Sequence, residues 1–163
     1  GVRAWSSSDE RGRAGRAAAP TPPMIFRRAA SVDALNALSP GTAMAPLGIV
    51  FTEVGPDYLR ATIPVDARTR QPYGLLHGGA SVLLAETLGS SAGMLCADED
   101  SLVVGIEINA NHLRGVREGT VTGTARPLHL GRSTQVWEIR IEDEAGRPVC
   151  VSRLTLAVVA RAQ

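Results

Sequence analysis

The run His77-Gly78-Gly79-Ala80-Ser81-Val82-Leu83-Leu84-Ala85-Glu86-Thr87-Leu88-Gly89-Ser90-Ser91-Ala92-Gly93-Met94-Leu95-Cys96 decides how this chain folds. It holds no proline, and from Gly78 to Cys96 its only charge is Glu86. Its apolar residues fall all round a helical wheel, which predicts one long helix buried by other elements. Gly78, Gly79, Gly89 and Gly93 each weaken an isolated helix by up to about 1 kcal/mol relative to alanine, so packing must compensate. With Ala80, Ser81, Ser90, Ser91 and Ala92 they form a small-residue surface that invites close approach by another backbone.

Outward from this helix the pattern changes period. Downstream, apolar alternation over 102–111, 116–127, 134–142 and 148–159 reads as four strands, separated by Arg114-Gly115, His129-Leu130-Gly131 and Asp143-Glu144-Ala145-Gly146. Trp137, Ile139 and Ile141 share one face of the third. Upstream, 48–52 and 58–64 read as two strands joined around Gly55-Pro56, and Ser31 caps a short helix over 32–38 that Pro40-Gly41 ends. Short connections between successive strands imply antiparallel pairing. The fold class is therefore α+β: one long helix against a largely antiparallel sheet.

The 163 residues make one domain, and 44% hydrophobic with 20% charged residues suit a globular core. Residues 1–23 are rich in Gly, Ala, Ser, Arg and Pro and read as a disordered extension, with the folded domain spanning 24–163. The basic residues are all arginine, spread along the chain, and the net charge is +1, so no nucleic-acid stripe is present. The most apolar stretch, 75–97, carries His77, Glu86 and glycines and is not a membrane span. Cys96 and Cys150 are far apart and outside any ligand spacing, which points to a reduced, cytoplasmic protein without structural zinc. His77, His112 and His129 likewise lack metal-ligand spacing, so no metal is expected.

The chemistry sits on the helix. No cation lies three or four residues from Glu86, so its carboxylate is expected to be desolvated and unpaired, unless a hydrogen bond to a strand or to Ser90 holds it. Ser90, one turn on, shares its face. At the helix start, His77-Gly78-Gly79 offers free backbone N–H groups aligned with the helix dipole, a ready oxyanion site. His77 is read either as part of that site or as the helix cap. A polarised carbonyl at one end and a carboxylate two turns later are the two halves of acyl-transfer chemistry.

Gln71-Pro72-Tyr73-Gly74-Leu75-Leu76-His77-Gly78-Gly79-Ala80 followed by Leu84-Ala85-Glu86-Thr87-Leu88-Gly89-Ser90 resembles the signature of hotdog-fold acyl-CoA thioesterases, in the branch of the phenylacetate-pathway and 4-hydroxybenzoyl-CoA enzymes. The likeness continues through Gly105-Ile106-Glu107-Ile108-Asn109-Ala110-Asn111-His112 and Pro127-Leu128-His129-Leu130-Gly131 and covers residues 24–160. The resemblance implies a helix wrapped by the sheet, subunits joined sheet edge to sheet edge, and a homotetramer built as a dimer of dimers. It implies Glu86 as nucleophile or general base, Gly78 N–H as the donor to the thioester carbonyl, Gln71 and His77 lining the site, and Ser90 placing water. It also implies that Gly105, His112, Leu113, Arg114 and Gly115, with His129, Gly131, Arg132, Ser133 and Thr134, bind the CoA moiety, Arg114 and Arg132 supplying positive charge. Coenzyme A is then part of the substrate, no cofactor is required, and an aromatic or bicyclic acyl group is favoured.

Two other functions fit part of this pattern: hydrolysis of acyl or aryl groups held on a carrier protein, and a non-catalytic acyl-CoA-binding protein. Glu86 argues against the second. A hydratase on the same fold is expected to carry an Asp and His pair, and no Asp occurs between Asp66 and Asp98.

Overall fold

Helix α3 (Gly78–Cys96) matches the expected limits at both ends, and its start is fixed by His77, whose Nδ1 accepts from Gly79 N–H at 2.8 Å. The computed structural model describes residues 19–20 and 23–162. The arm read as disordered therefore lies outside the described residues except at 19, 20 and 23.

Before α3 come α1 (Val32–Asn36), α2 (Met44–Leu47), β1 (Val50–Val54) and β2 (Leu59–Pro64); after it come β3 (Ser101–His112), β4 (Thr120–Leu130), β5 (Thr134–Glu142) and β6 (Pro148–Ala160). The strands form one sheet in the order β1-β2-β4-β5-β6-β3, antiparallel at every pairing. Leu84, Ala85, Leu88 and Ala92 of α3 pack on Trp137, Ile139, Ile141, Leu154 and Leu156, all inaccessible to solvent, and this is the hotdog arrangement.

Several limits differ from the sequence reading. Strand β1 starts at Val50 rather than 48, because Gly48 closes the unforeseen helix α2 in the left-handed conformation at φ 72°. Strand β4 starts at Thr120 rather than 116: Val116 gives its carbonyl to Leu76 N–H, and Gly119 turns the chain at φ 81°. It also runs on past Pro127 to Leu130, where a bulge between Pro127 and His129 absorbs the missing donor. His129 and Leu130 thus belong to a strand, not to a loop.

The C-terminal end of α3 is tied down by a segment that composition alone did not single out. Arg27 and Arg28 N–H groups both donate to Leu95 C=O, at 2.9 and 3.1 Å, and the Arg28 guanidinium donates to the carbonyls of Ala97, Asp98 and Ser101. The bonds to Leu95 and Ala97 occupy carbonyls at the end of α3, and those to Asp98 and Ser101 hold the turn that leads into β3.

Candidate active site

The helix surface is divided. Gly89 lies beneath Leu154 and Ile139, and Gly93 beneath Leu156 and Gln135, so the small residues accommodate side chains of the chain's own sheet. At Gly89 and Gly93 the close neighbours are thus side chains of the chain's own strands rather than another backbone. The opposite side, with Leu83, Glu86, Thr87 and Ser90, lines a shallow groove and is only half-buried. Here too the expectation changes: the sheet wraps one side of α3, and the Glu86 carboxylate is not sealed within a single chain.

Glu86 and Ser90 share this groove, as their spacing predicts. Glu86 forms no hydrogen bond or ion pair among the described residues, so the alternative of a structural hydrogen bond to Ser90 or to a strand is not what the geometry shows. Its carboxylate rests on Gly105 of β3, where an added Cβ would lie 2.5 Å from Oε1. Gly105 therefore clears the space the carboxylate occupies, a role not read from the sequence. The irregular register of β3 between Gly105 and Glu107 marks the same spot.

At the start of α3 a cleft of about 350 Å³ is lined by Gln71, Gly78, Ser81, His112, Leu113, Arg114 and Gly115, with Leu75, Leu76 and Val149. Backbone pairing identifies the free donor in it. Gly79 N–H goes to His77 Nδ1, and the N–H groups of Ala80 and Ser81 go to His77 C=O. Gly78 N–H has no acceptor among the described residues. His112 packs on Gly78, its Nε2 2.8 Å from where a Cβ would stand, so any larger residue there pushes the imidazole away. Gln71 Oε1 accepts from Tyr73 N–H, and its side-chain NH2 group has no acceptor among the described residues.

The loop that carries these groups is pinned along its length. Thr69 Oγ1 donates to Pro64 C=O at 2.7 Å, His77 N–H to Thr69 C=O at 2.7 Å, and Leu76 N–H to Val116 C=O at 2.7 Å. The Arg68 side chain and backbone N–H hold the Asp66 carboxyl down at about 2. His77 serves as the cap and, with Arg68, Thr69 and Arg70, lines a separate groove on the far flank of α3 rather than the cleft.

Of the residues expected to bind CoA, Gly105 lies beneath Glu86 and the others separate into two groups. His112, Leu113, Arg114 and Gly115 lie in the cleft at the start of α3. Gly131 and Arg132 line a different cleft, of about 610 Å³, with Arg27, Cys96, Asp98 and Ser101 at its other end. His129 packs on Gly131, whose N–H donates to Thr134 C=O at 2.9 Å, and Ser133 C=O accepts from Val158 N–H. A helix of 19 residues spans roughly 28 Å, so one chain does not bring the two groups together. Both cysteines are free and buried, and burial pushes the Cys96 thiol up to about 11, which leaves it a poor nucleophile.

With this geometry in place, comparison with known proteins is informative. The profile of the thioesterase superfamily matches residues 73–150. Over 136 residues the chain is 56% identical to 1,4-dihydroxy-2-naphthoyl-CoA hydrolase of Escherichia coli, covering 83% of this chain and 100% of that one. It is 57% identical, also over 136 residues, to the proofreading thioesterase EntH of Cronobacter sakazakii, covering 83% and 99%. A solved thioesterase from Haemophilus influenzae aligns with a TM-score of 0.84 at 51% identity, over 86% of this chain and 98% of that one. A mutant thioesterase from Pseudomonas aeruginosa aligns with a TM-score of 0.82 at 50% identity, over 83% and 99%.

Proposed function

The chain belongs to the thioesterase superfamily, and within that membership we propose that it hydrolyses an acyl-CoA, with an aromatic or bicyclic acyl group, to the free acid and CoA. The observation that carries this reading is the unpartnered Glu86 carboxylate, held over Gly105 on the open side of a helix that is otherwise packed. In the proposed reaction the thioester carbonyl oxygen accepts from Gly78 N–H, and negative charge grows on it as the carbonyl carbon is attacked. Glu86 either attacks that carbon itself or takes a proton from a water placed by Ser90. Collapse of the intermediate expels the CoA thiolate. Where Glu86 acts as base, the proton it took from water passes to the thiolate and the free acid is already formed; where Glu86 attacks, the thiolate is protonated from water and a second water hydrolyses the mixed anhydride left on Glu86, releasing the acid and restoring the carboxylate. No cofactor enters this route.

Glu86 and Gly78 are eight residues apart, about 12 Å along the helix, too far to act on the two ends of one carbonyl group. We therefore place each site between two copies of the chain. Strand β3 lies at the edge of the sheet and carries Gly105, beside Glu86, and His112, beside Gly78. Antiparallel pairing of two such edges, centred midway between those residues, sets Glu86 of one copy near Gly78 of the other. Pairing of two such dimers gives the expected tetramer.

Relatives named as a CoA thioester hydrolase and as a proofreading thioesterase are almost equally similar to this chain, so a carrier-protein thioester is the second reading. A hydrolysis panel separates the two: benzoyl-CoA, a naphthoyl-CoA, palmitoyl-CoA and an aryl group on its carrier protein, followed by thiol release. Fastest turnover of the aromatic CoA esters is expected. Preference for the carrier-bound ester moves the assignment to the second reading, and no turnover of any member overturns both.

A further inference from the structure

Ser81 is the polar group in the cleft for which neither the motifs nor the reaction above provide a role. It is 1% exposed, yet it forms part of the cleft wall with Gly78, Gln71 and His112, and its hydroxyl makes no hydrogen bond among the described residues. The fully buried side-chain polar atom that lacks a partner among the described residues is Ser152 Oγ, not Ser81 Oγ, which keeps a small opening to the cleft. Alanine, the best helix former, would serve a purely structural position here.

The direction of the side chain then matters. In an α-helix every Cα–Cβ bond tilts toward the N-terminus, and residues three apart are neighbours on one face. Ser81 therefore leans over the turn that begins with Gly78, whose N–H is the free donor of the cleft. Two donors on one wall, one of them a hydroxyl able to rotate, suit a single acceptor oxygen carrying growing negative charge.

We propose that the Ser81 hydroxyl is a second donor to the thioester carbonyl oxygen, completing with Gly78 N–H a two-donor oxyanion site. This deepens the proposed function and rests on it. No bond to Ser81 forms or breaks: its O–H shares the charge that moves onto the carbonyl oxygen during attack and releases it when the C=O bond reforms and the thiolate departs.

The test is Ser81→Ala in the full chain, compared with wild type on benzoyl-CoA and on two stable probes. One is S-phenacyl-CoA, a ketone; the other is S-(2-phenylethyl)-CoA, the same skeleton without the oxygen. The variant is expected to lose about a hundredfold in kcat, the scale of removing one oxyanion donor, with an unchanged or higher Tm. Its affinity for the ketone should fall toward that of the thioether, while thioether affinity stays constant. Turnover within threefold of wild type, or equal loss of affinity for both probes, overturns the inference and leaves the assigned reaction standing. Failure of the wild-type protein to hydrolyse any thioester of the panel overturns the reaction itself, and the inference with it.

Discussion

The two sides of α3 obey different rules. On the sheet side, Leu84, Ala85, Leu88 and Ala92 are inaccessible to solvent, and glycines on both elements let side chains interlock, with Leu88 Cδ1 against Gly123 and Leu154 against Gly89. On the other side, Leu83, Glu86, Thr87 and Ser90 face a groove that nothing within the described residues closes. One face is fixed by volume and the other by chemistry. A carboxylate can be held without a partner on the open face because the closed face supplies the stability that its exposure and the helix glycines do not.

Substitutions that act on one face only test this division. Glu86→Gln keeps shape and removes charge, so turnover should fall by about two to four orders of magnitude with Tm unchanged. A parallel fall in Tm would show that the open face also stabilises the fold. Leu88→Ala should do the reverse, costing about 2–5 kcal/mol in a denaturant melt while kcat per folded site holds. Loss of kcat in the fully folded variant would show that packing and chemistry are coupled across the helix.

Gly105→Ala sits where the two regimes meet. Its Cβ would push on the Glu86 carboxylate, the free end of a flexible side chain, so the fold should absorb it while turnover drops roughly ten- to a hundredfold by misplacement. Unchanged kinetics would mean that Glu86 works from another position. The smallest effect concerns the thiols. With Cys96 raised to about 11 by burial and Cys150 raised by the same cause, both should react with a disulfide reagent at pH 8 far more slowly in the native protein than after unfolding. Rapid labelling of one thiol in the native protein would show that Cys96 is reached from the cleft it lines, and rapid labelling of both that the core beside β6 opens as well.

Much of this division is written in the residues. The absence of proline and the capping His77 set both ends of α3, and alternation around Trp137 set the buried face of β5. The openness of the other face was not legible, because an all-round apolar helix reads the same whether a sheet or a second molecule covers it. Gly105 was tied to the site by family likeness alone; its use depends on Glu86 lying across it, a contact between residues 19 positions apart. The roles of Arg27 and Arg28 were hidden for a similar reason, since their partners lie about 70 positions downstream. Ser81 carried a faint signal, three residues after Gly78 on the same face.

Because Gly78 and Glu86 stand two turns apart on one helix, damage at the two positions is expected to behave like mutations in separate genes. Proline at 78 removes the N–H at a helix position that tolerates it and pushes the His112 imidazole aside, so its damage stays at that end of α3; the extended conformation of His77 suits a following proline. Chains carrying Gly78→Pro alone, or Glu86→Gln alone, should each be inactive. If the proposed pairing of two copies holds, chains unfolded together and refolded as an equal mixture form mixed pairs half of the time, each with one site whose two halves are both intact. Random pairing of equal amounts should thus recover about a quarter of wild-type activity from two inactive preparations.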